Sequence, residues 1–217
     1  VMTRSGDYEK YYDENDDKTR SDLYNRMDLV NSIENSDELK IMIGHNCSPV
    51  DNHLEILENM SKFKNKKIHL IIPLSYSNPN NGYKEKVIKK AYDIFGESNV
   101  TILNDFISLN DYIRIIASID IAIMDMHYSN GLGNISYILY FKKKLYVKKE
   151  SNFAKAFLRE NITPNYTNEI ALQDFDEFRN NNFDNNYLKF CEDLLDKDVS
   201  KNGWLKLMNE LGEGTYE

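Results

Sequence analysis

Residues 119–147 read IDIAIMDMHYSNGLGNISYILYFKKKLYV, and the pattern of this stretch predicts the fold. Two apolar runs, 119–124 and 145–147, are too short for helices and are typical of buried parallel strands. Between them, a turn that contains two glycines opens an apolar helix. A strand, a helix and a second strand in this order predict a right-handed crossover unit of a parallel sheet.

The chain before this stretch repeats the same alternation. Three further runs of aliphatic or β-branched residues lie at 41–43, 68–74 and 100–103, each bounded by Gly, Asn, Pro or Lys. Amphipathic stretches separate these runs. Together they predict an α/β domain, a Rossmann-like parallel sheet with flanking helices.

The stretches between the runs place apolar residues at helical spacing. Leu54, Leu57 and Met60 share one face of a helix predicted over 53–63. In the next stretch apolar residues recur every four positions, namely Tyr83, Val87, Ala91 and Phe95, and Gly96 follows as a stop signal. Ser108 stands three residues before Asp111, a spacing that resembles a capping box ahead of a helix over 112–117.

The composition limits the class of protein. The 217 residues include 35 acidic and 27 basic ones, for a net charge of −8, so we expect no nucleic-acid partner. Two cysteines do not make a disulfide framework, no apolar run can span a bilayer, and no signal peptide is visible. These features predict a cytoplasmic protein.

The charge is unevenly distributed along the chain. Residues 1–40 sum to −5, residues 41–150 to +3 and residues 151–217 to −6. We interpret residues 1–39 as an acidic arm or linker, the remnant of a missing N-terminal domain. Residues 40–184 are predicted to form the Rossmann-like domain, and residues 185–217 one or two C-terminal helices.

Ligands of such a sheet bind beyond the carboxyl ends of its strands. Two segments that follow strands are rich in small polar residues, GHNCS at 44–48 and NGLGNI at 130–135. Glycine lets a backbone approach a ligand, and a helix N-terminus offers N–H groups and a positive dipole end to a diphosphate. The alternative, two ordinary turns in which glycine supplies a positive φ, stays open.

Three blocks of sequence resemble one enzyme family. They read IGHNCSPVDNHLEIL (43–57), IIPLSYSN followed by GYKEKV (71–87), and the stretch 111–147. Their order over residues 41–170 resembles the C-terminal half of the bacterial TDP-N-acetylfucosamine:lipid II N-acetylfucosaminyltransferases, the 4-α-L-fucosyltransferases. The residues that fit the family motifs are Asn52, His53, Pro73, Leu74, Tyr76, Gly133, Asn134 and Ile135.

The resemblance implies a GT-B glycosyltransferase, whose C-terminal Rossmann-like domain holds most of the sugar-nucleotide donor. It implies a TDP-sugar such as TDP-N-acetylfucosamine as donor substrate, with no cofactor and no metal. The implied acceptor is a polyprenyl-diphosphate-linked or other glycan in surface polysaccharide biosynthesis. It further implies peripheral contact with anionic lipids at the cytoplasmic face of the inner membrane, and a chain that holds the donor half of the site.

The sequence departs from the family pattern at two places. His45 stands where an Asn is expected, and Tyr128-Ser129-Asn130 replaces an expected Arg-Gln-Gln. The missing arginine removes an obvious partner of the diphosphate.

Twelve residues near the strand ends are predicted to bind the nucleotide-sugar, whereas the catalytic residues stay unknown. They are Gly44, His45, Asn46, Ser48, Asn52, His53, Tyr76, Asp125, Asn130, Gly131, Gly133 and Asn134. The backbone amides of 131–134, with Asn46 and Ser48, would stabilise the charge on the leaving diphosphate.

Several candidates have an alternative interpretation. Tyr76 stacks on the base, bonds a phosphate or is a rim tyrosine. Asp105 and Asp125 hold ribose or sugar hydroxyls or cap turns. A metal between His45 and His127 is not favoured, because no cysteine pair accompanies them.

Other features leave the function open. Cys47 beside a histidine suggests a nucleophile, although a small loop residue is the better interpretation. The lysines Lys142, Lys143, Lys144, Lys148 and Lys149 form either a solvated surface or an attraction to anionic headgroups. The alternative functions are a non-catalytic Rossmann-like nucleotide- or sugar-binding module and a sugar-nucleotide epimerase relative.

Overall fold

The computed structural model describes residues 37–77, 82–128 and 131–193, together with residues 201, 202 and 205. All of them belong to one compact unit, Ser36–Glu217. Residues 1–36 of the acidic arm, Asn130 and most of the C-terminal tail lie outside the described residues. The boundaries at 39/40 and 184/185 therefore stay predictions.

The described strands form one parallel sheet. Their bounds are β1 Leu39–Ile43, β2 Ile68–Pro73, β3 Val100–Leu103, β4 Ile121–Met124, β5 Lys144–Val147 and β6 Asn165–Tyr166. They lie in the order β3-β2-β1-β4-β5-β6, and every neighbouring pair is parallel. The predicted Rossmann-like fold is confirmed. β6 was not predicted, because its two residues form no apolar run.

Seven α-helices connect or flank these strands within the described ranges. They are α1 His53–Met60, α2 Tyr83–Phe95, α3 Leu109–Ser118, α4 Leu132–Tyr140, α5 Asn152–Arg159, α6 Phe175–Arg179 and α7 Asn185–Asp193. The four apolar residues predicted for α2 are all buried, and Gly96 ends the helix at a φ of 82°. The Ser108 side chain accepts from the Asp111 N–H, so α3 begins at Leu109, earlier than predicted.

The helix predicted over 53–63 is shorter than expected. α1 ends at Met60, and a 3₁₀ turn, Ser61–Phe63, follows it. Leu54 is half-buried, whereas Ile56 is buried beside Leu57. The apolar face is therefore rotated slightly from the one that the sequence predicts.

The strand order places a topological switch point between β1 and β4. The chain runs from β1 outward to β3 and then returns to the other side of β1 as β4. Ile43 and Ile123 are register partners, so the two loops that follow these strands begin side by side. In an open parallel sheet, this crevice is where ligands bind.

An aromatic cluster closes the sheet on the α1 side. Phe178 of α6 is completely buried and stacks on Phe63 and Tyr146, with ring centroids 4.9 and 5.5 Å apart. Lys62 donates to the carbonyl of Ala171 at 2.8 Å. No helix of the described ranges is long and apolar enough to cross a bilayer.

Candidate functional site

The two glycine-containing segments singled out in the sequence meet at the switch point. The Gly44 N–H donates to the Ile123 carbonyl at 2.9 Å, which ties the loop after β1 to β4. Gly131 precedes α4 at a φ of 67°, and a Cβ there would lie 2.9 Å from His45 Cδ2. The His45 ring therefore packs against the turn that opens α4.

A buried carboxylate that the sequence did not single out organises the first loop. Asp51, 1% exposed, accepts from the N–H groups of His45 and Asn46 at 2.8 and 3.1 Å. His45 Nδ1 lies 3.0 Å from the same oxygen. Burial alone would raise the pKa of Asp51, but the hydrogen bonds and the charge of His45 hold it below its ordinary value of 3.8.

The backbone of the first loop is occupied by these contacts. In addition to the two amides bound by Asp51, the Cys47 N–H donates to the Tyr76 carbonyl at 2.7 Å. Position 44 requires a glycine for packing, because a Cβ there would lie 2.4 Å from His53 Nε2. This packing explains the glycine, and the contact of Gly44 with a ligand stays a prediction.

The start of α4 differs from the first loop in the partners of its backbone N–H groups. The first-turn N–H groups of any helix lack intrahelical acceptors, and Gly131 adds no side-chain cap. A Cβ on Gly133 would meet none of the described residues within 4 Å. The start of α4, beside the His45 ring, therefore offers N–H groups and a positive dipole end to an anion, whereas the amides of residues 44–47 already have acceptors.

His53 lies in the floor of the site. It is completely buried, its Nδ1 lies 3.0 Å from the Tyr83 hydroxyl, and its ring meets that tyrosine edge-on. Burial lowers the pKa of His53 to about 4, so the ring is neutral at physiological pH. Its Nε2 makes no hydrogen bond within the described part of the chain.

A second group of polar side chains surrounds Asp125, directly after β4. Asn52 Nδ2 and Lys148 Nζ donate to Asp125 Oδ2 at 2.7 and 3.3 Å, and the Thr167 hydroxyl donates to Oδ1. Asn52 adopts a left-handed φ of 54°. A cavity of about 150 Å³ opens here. Residues from four segments line it, including Asn52, Glu55, Asp125, Lys148, Glu150 and Thr167.

The other predicted site residues lie at the rim. Tyr76 is 63% exposed and meets the exposed ring of Phe106 edge-on at 6.3 Å. The Ser48 hydroxyl accepts from the Val50 N–H at 3.3 Å, so it caps the turn Pro49–Asp51. Asp105 is exposed on the loop after β3.

Burial decides between the alternative interpretations of Cys47 and of Lys144. Cys47 is buried, which raises the pKa of its thiol above the ordinary value and disfavours a nucleophilic thiolate. Lys144 is 5% exposed and donates to the carbonyls of Glu177 and Phe178, so it is not part of a solvated basic surface. Among the described residues, His, Cys, Asp and Glu form no cluster of three that would suit a metal ion.

The sequence missed Asp51 and the partners of Asp125. Asp51 lies within the first family-like block, but nothing in its spacing indicates that its carboxylate turns back to residues 45 and 46. Thr167 belongs to a segment without apolar periodicity, beside the unpredicted β6. Asp51 binds within its own loop, whereas Thr167 meets Asp125 only when distant segments come together.

The sheet and its crevice define a Rossmann-like domain of the kind found in GT-B glycosyltransferases. The C-terminal domain of a glycosyl transferase group 1 family protein from Francisella tularensis is 10% identical with a TM-score of 0.55, over 76% of this chain and 86% of that one. A glycosyltransferase from Rickettsia africae is 13% identical with a TM-score of 0.59, over 91% of this chain and 53% of that one.

An α,α-trehalose-phosphate synthase (UDP-forming) from Burkholderia vietnamiensis is 10% identical with a TM-score of 0.54, over 87% of this chain and 48% of that one. The chain thus spans about half the length of the proteins from Rickettsia africae and Burkholderia vietnamiensis. The model of the family described as 4-alpha-L-fucosyltransferase, glycosyl transferase group 56, matches residues 1–192. The chain belongs to this family of glycosyltransferases, which confirms the resemblance carried by the three sequence blocks.

Proposed function

We propose that the chain binds the sugar-nucleotide donor of a glycosyltransferase, a TDP-deoxyaminosugar such as TDP-N-acetylfucosamine. Membership of the 4-alpha-L-fucosyltransferase family supports glycosyl transfer. The shared fold supports a donor-binding role for this domain. The single observation that carries the site is the contact between His45 and Gly131, which joins the loop after β1 to the start of α4.

The diphosphate of the donor binds at the N-terminus of α4 in this proposal. The first-turn N–H groups, which lack intrahelical acceptors, and the positive dipole end stabilise the negative charge that grows on the leaving nucleoside diphosphate. Asn134 lies in this first turn, and its side chain is half-buried. Asn130, also proposed here, precedes the described start of the helix.

The cavity beside Asp125 takes hydroxyl groups of the sugar or the ribose. Asp125 is 5% exposed and is held by Asn52, Lys148 and Thr167, so its carboxylate has a fixed direction. Hydroxyl groups donate to carboxylates and accept from ammonium groups, and both are present in this cavity. The arrangement suits a polyhydroxylated ligand.

The acceptor is proposed to be a lipid-linked glycan, reached at the cytoplasmic face of the membrane. Because the chain spans about half of the glycosyltransferase from Rickettsia africae, we assign the acceptor site and the catalytic base to a second domain. Transfer then needs both domains, whereas donor binding needs the described one.

Calorimetry of the 217-residue chain with TDP, UDP and their sugar conjugates tests this proposal. We expect binding of TDP and a several-fold loss of affinity in N134A. N180A, on the exposed end of α6, is the matched control and should bind like the wild type. A folded wild-type chain that binds no nucleoside diphosphate would refute the donor-binding function.

A further inference from the structure

We propose that Lys62 is a positioning residue of the donor site, because it fixes the distance between two walls of the cavity beside Asp125. The inference rests on the function proposed above, in which this cavity takes hydroxyl groups of the sugar or the ribose. It is carried by two sets of contacts that join the same two walls at different places.

The two walls are α1 and the segment 167–173, which directly follows β6. The lining residues of α1 and its N-cap recur at helical spacing, so they share one face. They are Asn52, Glu55, Ile56 and Asn59. The second wall includes Thr167 and Asn168. The width of the cavity, whose volume is about 150 Å³, therefore depends on the distance between this segment and α1.

Asp125 joins the two walls at the start of α1. Its Oδ2 accepts from Asn52 Nδ2 at 2.7 Å, and its Oδ1 accepts from the Thr167 hydroxyl. Asp125 is 5% exposed, so these partners hold it in a nearly dry position. One carboxylate thus fixes the separation of the walls at this end.

Lys62 joins the same two walls beyond the other end of α1. It lies in the 3₁₀ turn that follows this helix, and its ammonium donates to the carbonyls of Ala171, at 2.8 Å, and Gln173. Hydrogen bonds from a charged donor are stronger than neutral ones. The ammonium also lies 4.9 Å from the centroid of the Phe63 ring, which restricts its position further.

The segment between the two ties is bonded internally, so a shift at its end reaches Thr167. The Ile170 N–H donates to the Thr167 carbonyl at 3.3 Å, and Ile170 is completely buried. The Gln173 N–H donates to the Glu169 carbonyl at 3.2 Å. The side chain of Gln173 accepts from the hydroxyl of buried Tyr146 at 2.8 Å. Lys62 therefore acts on the cavity through Thr167 and does not line it.

The position of Lys62 separates this role from a contribution to the core. Lys62 and Ala171 are both exposed, so water can bind the two carbonyls when the ammonium is removed. Water cannot hold both carbonyls at one point beside α1. The loss then falls on the affinity for a ligand in the cavity, because a site that is already ordered costs less to bind.

Calorimetry of wild type and K62M with three ligands tests this role. They are inorganic pyrophosphate, measured in competition with TDP, then TDP itself, and TDP-N-acetylfucosamine. Pyrophosphate has no hydroxyl group for the cavity, so its affinity should not change. If the cavity takes the ribose, K62M should bind TDP and the conjugate three- to tenfold more weakly, roughly the effect of one net hydrogen bond. If it takes the sugar, only the conjugate should lose this affinity.

K62R keeps the charge and the N–H donors, so it should restore the affinity. K66M is the matched control, because Lys66 lies over the Phe175 ring at 5.3 Å, and it should bind all three ligands like the wild type. K62Q replaces K62M if the latter does not fold, and the same loss is expected. Unchanged affinities in the folded variant, or an equal loss for all three ligands, would overturn the role of Lys62 while donor binding stands. A wild type that binds no TDP would refute both.

Discussion

Gly44 adopts a φ of 69°, and two side chains occupy the space where its Cβ would lie. In G44A the new methyl carbon would lie 2.4 Å from His53 Nε2 and 2.9 Å from Asp51 Oδ2. The left-handed conformation and the overpacking together should reduce the free energy of unfolding by roughly 2–4 kcal/mol. Urea denaturation measures this loss.

G82A is the matched control for this prediction. Gly82 has a similar φ of 71°, but the nearest described atom to a Cβ there would be Glu85 Oε2, at 4.0 Å. G82A should therefore show the conformational cost alone, roughly 1–2 kcal/mol. Equal losses in the two variants would contradict the packing role of Gly44.

The buried position of His53 predicts that the stability of the folded chain depends on pH. Its pKa is about 4 in the folded chain and 6.5 in the unfolded reference, so between these values the unfolded state binds more protons. Stability should thus fall as the pH drops from 6.5 to 4, by about 3 kcal/mol from this group. We measure the melting temperature between pH 7 and 4. It should fall less steeply with decreasing pH in H53Q than in the wild type or in H69Q, the control at a histidine of β2. Equal pH dependence in all three proteins would refute the low pKa of His53.

At the scale of elements, α4 supports a prediction in which stability and binding change in opposite directions. Gly133 lies within the helix, and a Cβ there has no neighbour within 4 Å in the part of the chain that the structure describes. G133A should raise the free energy of unfolding by about 0.5–1 kcal/mol, because alanine loses less backbone entropy in a helix. The methyl group enters the proposed diphosphate site, so calorimetry should show weaker TDP binding.

S136A, one turn later on α4, tests whether the binding effect is local. The Ser136 hydroxyl donates to the Leu132 carbonyl at 2.9 Å, so its removal changes the helix without filling the crevice. TDP affinity should be retained in this variant. An affinity in G133A equal to that of the wild type would exclude the first turn of α4 as the diphosphate site.

Comparison of sequence and structure at this scale separates local from distant information. The strands β1–β5 and the buried face of α2 could be predicted, because periodicity and stop signals are local. The role of Asp51 could not be, because it depends on the turn Pro49–Asp51 that brings its carboxylate back to 45. Likewise, Asp125 meets Lys148 and Thr167 only after β5 and β6 have joined the sheet.

At the scale of the whole molecule, residues far apart in the chain share one aromatic cluster. Phe178 contacts Phe63 and Tyr146, and it is completely buried. F178A should lower the free energy of unfolding by about 3–5 kcal/mol, because truncation leaves a cavity among three segments. F175A, half-buried on the same helix, should cost clearly less. Denaturant unfolding measures both, and a similar loss in the two variants would contradict the central role of Phe178.

The hydrogen bonds of the first loop carry a consequence for its exchange with solvent. β1 pairs with β2 on one side and β4 on the other, and the amides of residues 44–47 then donate to Ile123, Asp51 and Tyr76. Binding loops usually exchange their amide protons for deuterium quickly, because they open locally. Here the loop continues the central strand without a break in its bonding, so its deuterium uptake should be as slow as that of the core, and ligands meet a surface that is rigid before they arrive.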